Sequence, residues 1–130
     1  MPRLCRTLLL AALVLSGCGS PRKSAEAALR KVGTDRVRKE AAVFYKNLFA
    51  GPAPTFFTIK LNDCPPAFQA LAPLHVGAYP DGFSLAKVRT AEAEEGYYVI
   101  PFGMDIVPVS KNRAHFTPLT EGVYWYRFDL

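Results

Sequence analysis

Cysteine, histidine and long apolar runs are all scarce in this sequence, and each scarcity removes a class of protein. The cysteines are Cys5, Cys18 and Cys64. Three cysteines are too few for a disulfide framework, and no two stand at the spacing of a zinc site built from paired cysteines. The two histidines, His75 and His115, have no cysteine, histidine or carboxylate at ligand spacing, so both are read as ordinary polar residues. Glycines stand apart from one another at turns and element ends, no loop is built to cradle a phosphate, and no Gly-x-Ser-x-Gly occurs. The longest apolar run, Leu8 to Leu15, spans roughly 12 Å of helix against about 30 Å of hydrocarbon core. It is too short for a permanent transmembrane helix.

What is present begins at that run. Arg3 and Arg6 precede it, and the small residues Ser16 and Gly17 follow it, immediately before Cys18. This order of basic, apolar and small residues is that of an export signal. Leu15-Ser16-Gly17-Cys18 resembles the lipobox of bacterial lipoprotein precursors. In that family the cysteine thiol receives a diacylglyceryl group, the chain is cut just before it, and the new amino group is acylated. The resemblance covers about the first twenty residues. It implies cleavage between Gly17 and Cys18, lipidation of Cys18, and a protein held to the cell envelope by its acyl chains; no cofactor is expected. Two or three chains, at about 0.8 kcal/mol per buried methylene, anchor far more firmly than one. By resemblance to the family's sorting rule, Gly19 after the cysteine favours the periplasmic leaflet of the outer membrane. The alternative is an ordinary secretory signal cut nearby, with Cys18 incidental.

On this reading residues 1–17 are the signal peptide, 18–23 a lipidated tether, and 24–130 one small domain. Cys5 leaves with the signal and Cys18 carries lipid, so Cys64 is unpaired. Its neighbour Asp63 raises a thiol pKa rather than activating it, which predicts a buried, inert residue. Charge is uneven along the chain. Residues 22–46 hold Arg22, Lys23, Arg30, Lys31, Arg36, Arg38, Lys39 and Lys46 against Glu26, Asp35 and Glu40, whereas the chain from Asn47 onward is slightly acidic. Beside a short tether, Arg22, Lys23, Arg30 and Lys31 are expected to face lipid headgroups. Nucleic acid is a poor fit, since the segment is exported and its charged face lacks aromatic residues for stacking.

Ser24 is placed to cap a helix over 25–32, with Gly33 as its stop and Thr34 capping a second helix over 35–49. In the second, Val37, Ala41, Phe44, Tyr45 and Leu48 share one arc. Thr55 to Leu61 alternates as a short strand could, and strands are expected near 74–79, 83–89, 97–102 and 123–129, with Pro80-Asp81-Gly82 as a hairpin turn containing a left-handed glycine. A short helical turn follows Pro65-Pro66. Residues 91–96 read as an acidic turn with solvated Glu92, Glu94 and Glu95. Residues 103–121, with Pro108 and Pro118, read mostly as loop. The fold class is therefore α+β: an N-terminal helix, broken near Gly33, on a mainly antiparallel sheet of about four strands.

Alternate side chains point to opposite faces of a strand. Val123 and Trp125 oppose Tyr124, Tyr126 and Phe128; Tyr97 and Val99 oppose Tyr98, Ile100 and Phe102. Both faces are apolar, so both need cover. The second helix covers one. The other is either covered by the first helix and 103–121, or left partly open as an interaction surface drawn from Tyr97, Tyr98, Tyr124, Trp125 and Tyr126. The sequence thus points to an anchored interaction or structural module rather than an enzyme, its partner an envelope protein or a second copy. The alternatives are a periplasmic carrier or chaperone for an apolar ligand, and an enzyme with dispersed catalytic residues.

Overall fold

The computed structural model describes residues 20–51 and 56–130. The lipobox, with Gly17 and Cys18, lies outside them, as does Thr55 at the head of the alternating stretch before 61. Helix α1 runs over Pro21–Val32, four residues earlier than Ser24 would have started it. Ser20 caps it instead, its hydroxyl accepting from the Lys23 N–H at 3.2 Å. Pro21 suits the first turn, where an amide hydrogen has no helical acceptor and φ is already set. The expected tether to residue 23 is accordingly shortened, and α1 starts three residues after Cys18. Gly33, at φ +102°, makes the break and donates to Leu29 O at 2.8 Å. Helix α2 follows over Thr34–Leu48, and the Thr34 hydroxyl makes no cap.

The protein is α+β, with two helices preceding one antiparallel sheet of six strands, not four. They are β1 (Phe57–Ile59), β2 (His75–Tyr79), β3 (Gly82–Arg89), β4 (Ala93–Val99), β5 (Ala114–Thr120) and β6 (Val123–Asp129), in the order β1-β2-β3-β4-β6-β5. Between β1 and β2 lies the expected short helix, α3 (Pro66–Ala70). One of the two extra strands is β1, in the alternating stretch before 61; the other is β5, in the stretch read as loop. It is an edge strand, where Pro118 does not break the ladder as it would in the middle of a sheet. Strand β4 begins at Ala93, so Glu94, Glu95 and Gly96 are paired residues and not a turn. Gly96 is needed there because a Cβ would lie 2.0 Å from Leu85 O. The β2–β3 hairpin closes with Tyr79 opposite Gly82, and neither Asp81 nor Gly82 is left-handed. Gly82 is instead fixed by a close approach, a Cβ there falling 2.5 Å from Val99 O.

Sheet order dictates the rest. Strands β4 and β5 both pair antiparallel with β6, so they run in the same direction on either side of it. The chain leaves β4 at one end of the sheet and must return to the other end before β5 begins. Residues 100–113 make that return as a strap across one face, where Met104 and Ile106 pack against Tyr98, Ile100 and Tyr126. The helices take the opposite face. Ala25, Leu29, Val37 and Ala41 join Phe68, Phe83, Leu85, Tyr97, Val99, Val123 and Trp125 in the main core. Phe44, Tyr45 and Leu48 border it, and the Phe44 ring stacks on Phe83 at 5.4 Å. The alternation expected of β4 and β6 holds except at Phe102, which lies past the end of β4 and sits exposed beside Arg38; α1 lies beside α2 and leaves the second face to the strap.

Candidate functional site

Three places could bear function: the outer face of α1, the polar interior of the second sheet face, and a groove where the strap leaves β4. On α1, residues 23, 27, 30 and 31 fall within an arc of about 100°. Lys23, Arg30 and Lys31 are exposed there, opposite the buried Ala25 and Leu29. Arg22 stands apart from them, half-buried on the flank, with its guanidinium 3.5 Å from Pro118 O on β5. Three of the four basic residues singled out in the sequence therefore form one surface.

The aromatic residues proposed as an open surface are mostly core. Tyr97, Tyr98, Trp125 and Tyr126 are buried, and only Tyr124 is half-exposed. The strap and the helices provide the cover, and each buried polar end finds a partner. Tyr97 donates to Ala25 O at 2.7 Å, tying α1 to the sheet, and Trp125 donates to Glu95 at 2.9 Å. Tyr98 donates to Asp81 across the hairpin. Tyr126 donates to Glu94 at 2.6 Å, and the same buried carboxylate meets His75 and Arg89, each at 2.8 Å. Burial and then the adjacent carboxylates push the Tyr98 and Tyr126 hydroxyls far above the ordinary phenol range, so both stay protonated donors. This arrangement holds strands together; its phenols have no accessible route to ionisation. His75, read as unpartnered, and Glu94, read as solvated, are its members. Extending β4 back from Tyr98 in steps of two reaches Glu94, and that parity was the available signal.

The groove is built around Arg38. On α2, Arg38 precedes Ala41 by three residues and Tyr45 by seven, which places it on the border of the buried face. Its side chain is only 8% exposed. Nε donates to Ile100 O at 2.8 Å and Nη2 to Pro101 O at 3.3 Å, which fixes the start of the strap. The guanidinium lies 5.6 Å from the Phe102 ring centre and packs on Gly122, where a Cβ would fall 2.2 Å from it. Beyond it opens a groove of about 620 Å³. Phe102, Met104, Ile106, Val107 and Tyr124 give its apolar walls, Asp105 and Glu121 its acidic rim. Nothing in the sequence distinguished Arg38 from the other basic residues of the segment, because its carbonyl partners lie sixty residues further on.

A second concavity, about 450 Å³, runs between α2 and residues 63–66 past Cys64. The thiol donates to Lys60 O at 3.4 Å, and burial followed by Asp63 pushes its pKa up to about 11. It is buried, as expected, and held as a thiol rather than a thiolate. Among the described residues no three His, Cys, Asp or Glu side chains gather closely enough to hold a metal, and no helix is long and apolar enough to cross a membrane. Comparison of the chain with protein-family models, with curated proteins and with solved structures gives no match.

Proposed function

We propose that this is a lipid-anchored protein of the cell envelope that works by binding, with α1 lying against the membrane that holds its anchor. One observation carries the reading. Helix α1 begins three residues after Cys18 and turns Lys23, Arg30 and Lys31 outward, away from the face that packs on the sheet. Three extended residues reach about 10 Å, so an acylated Cys18 keeps the start of α1 beside the headgroups, and a helix lying flat on the bilayer brings its whole basic face within a Debye length, about 8 Å at physiological salt. Each cation near an anionic surface contributes about 1 kcal/mol. The anchor supplies retention and the basic face supplies orientation. The partner is then met by what faces away from the bilayer, another envelope protein being the simplest case.

Lysine footprinting of the full-length protein in its own membrane tests this. Lys23 and Lys31 should acetylate several-fold more slowly than Lys46 in low salt, and the protection should vanish in high salt or after detergent release. Equal rates for all three lysines in the membrane would show that α1 faces solvent. A second reading, an anchored carrier for an apolar ligand, is favoured by the Arg38 groove.

A further inference from the structure

We infer that the groove beside Arg38 binds a small amphiphile whose anionic head, a carboxylate or a phosphate, pairs with the guanidinium while its apolar part lies along the strap. The inference deepens the carrier reading and rests on it for its biological sense.

The guanidinium is held unusually well for a group with a donor to spare. Two of its nitrogens are bonded to the carbonyls of Ile100 and Pro101. The third, Nη1, makes no hydrogen bond among the described residues; its nearest acidic atom is Glu121 Oε2 at 3.8 Å. That carboxylate is itself 91% exposed, so its pull on the guanidinium is weakened by water. A charge buried this deeply is ordinarily paired and hydrogen-bonded. Here one edge of the planar fork is turned toward a concavity, in the geometry that carboxylates and phosphates match. Preorganisation by the two carbonyls means that little side-chain entropy remains to be lost when an anion arrives.

The walls specify the rest of the ligand. Phe102, Met104, Ile106, Val107 and Tyr124 line the groove beyond the guanidinium, and the flexible Met104 thioether adapts to irregular apolar shapes. The volume, about 620 Å³, lies within the range of roughly 300–1,000 Å³ typical of small-molecule sites. It suits one short chain or ring system rather than a folded partner. Besides Arg38, the charged side chains that line the groove, Asp105 and Glu121, are acidic; the Lys39 ammonium, 5.5 Å from the Phe102 ring centre, stands outside the lining. Glu121 is therefore an internal competitor for Arg38, and an incoming anion takes its place.

The test uses the full-length protein in a fixed concentration of non-ionic detergent, titrated with octanoate, octyl phosphate and neutral octanol. The chain has two methionines, Met1 and Met104, so the Met104 methyl is a ready NMR reporter inside the groove, with the Arg38 Nε–H as a second. At least one anionic probe should shift both signals saturably, and octanol should bind at least tenfold more weakly; the tighter anion identifies the head. Because Arg38 also secures the strap, the decisive variant is E121Q. It should bind the anion at least threefold more tightly, and Ile106→Ser should weaken it by a similar factor. Equal binding of octanol, an absence of saturable shifts, or indifference to E121Q would overturn the inference. None of these results depends on acylation of Cys18, so failure here and failure of the anchor are separate outcomes.

Discussion

Tyr126 and Tyr124 are two positions apart on β6 and point to the same face, yet they have opposite fates. Tyr126 is buried with its hydroxyl on Glu94, whereas Tyr124 is half-exposed beside the groove. Removing a hydrogen bond to a buried carboxylate costs about 1.5–3 kcal/mol. Tyr126→Phe should therefore lower unfolding stability by about 2 kcal/mol, and Tyr124→Phe by less than about 0.5 kcal/mol, as denaturant titration would show. The glycines make a second contrast. Gly103 and Gly122 both have positive φ, but a Cβ at Gly103 meets nothing within 4 Å while one at Gly122 runs into Arg38. Gly103→Ala should cost about 1–2 kcal/mol in backbone strain alone. Gly122→Ala should cost about 3 kcal/mol and loosen the strap as well. At this scale the sequence was half legible. Alternation placed every aromatic side chain of β4 and β6 on its correct face, because period two is local. It could not show that those faces were covered, nor that His75, Arg89 and Glu94 converge, because those facts depend on pairings across three strands.

At the scale of elements, α3 shows how a short helix is held from outside. Its N-cap position is Pro65, which offers no side-chain acceptor. Glu40 of α2 supplies one, its Oε1 accepting from the Ala67 N–H at 2.8 Å while Oε2 meets Arg36 Nε at 2.9 Å. Burial opposes the charge on Glu40, but the Ala67 N–H and the Arg36 guanidinium outweigh it and hold the carboxyl pKa below its ordinary value of 4.5. A depressed folded-state pKa gives stability that is present above 4.5 and lost as pH falls through the lower, folded value. The carboxylate is well solvated, so the contribution is about 0.5–1 kcal/mol. Glu40→Gln should lower the thermal midpoint at pH 7, and the gap from the wild type should narrow as pH falls below 4.5 and through the lower, folded value. A gap independent of pH would mean that Glu40 acts by packing alone. The element boundaries that sequence misplaced have local causes. Ser20-Pro21 outcompeted Ser24 as a helix start, three glutamates near 92–95 imitated a turn, and Pro118 imitated a loop where an edge strand tolerates it.

For the whole molecule, cover of the second face by residues from 103–121 was one of two expectations and is met by the strap, though its route was announced by no local pattern. Residues 100–113 follow from the order in which β4, β6 and β5 pair, and that order is a property of the complete sheet. The strap closes the second face, brings Phe102 and Met104 to Arg38, and leaves Val107 and Val109 exposed at 69% and 70%. The opposite layer presents α1, whose basic face stands beside the proposed anchor. An anchored protein arranged this way would keep α1 on the bilayer by charge and retain the protein by its acyl chains. Salt should then release Lys23 and Lys31 from protection without releasing the protein from the membrane. Acylation of Cys18 is the claim from which the orientation, the location and the role all follow. Its most direct measurement is metabolic labelling with a fatty acid, followed by fractionation, in the wild type and in Cys18→Ser. The account predicts a labelled, membrane-bound wild-type protein and a variant that loses both label and membrane retention. A Cys18→Ser protein that remains in the membrane fraction as fully as the wild type would contradict it.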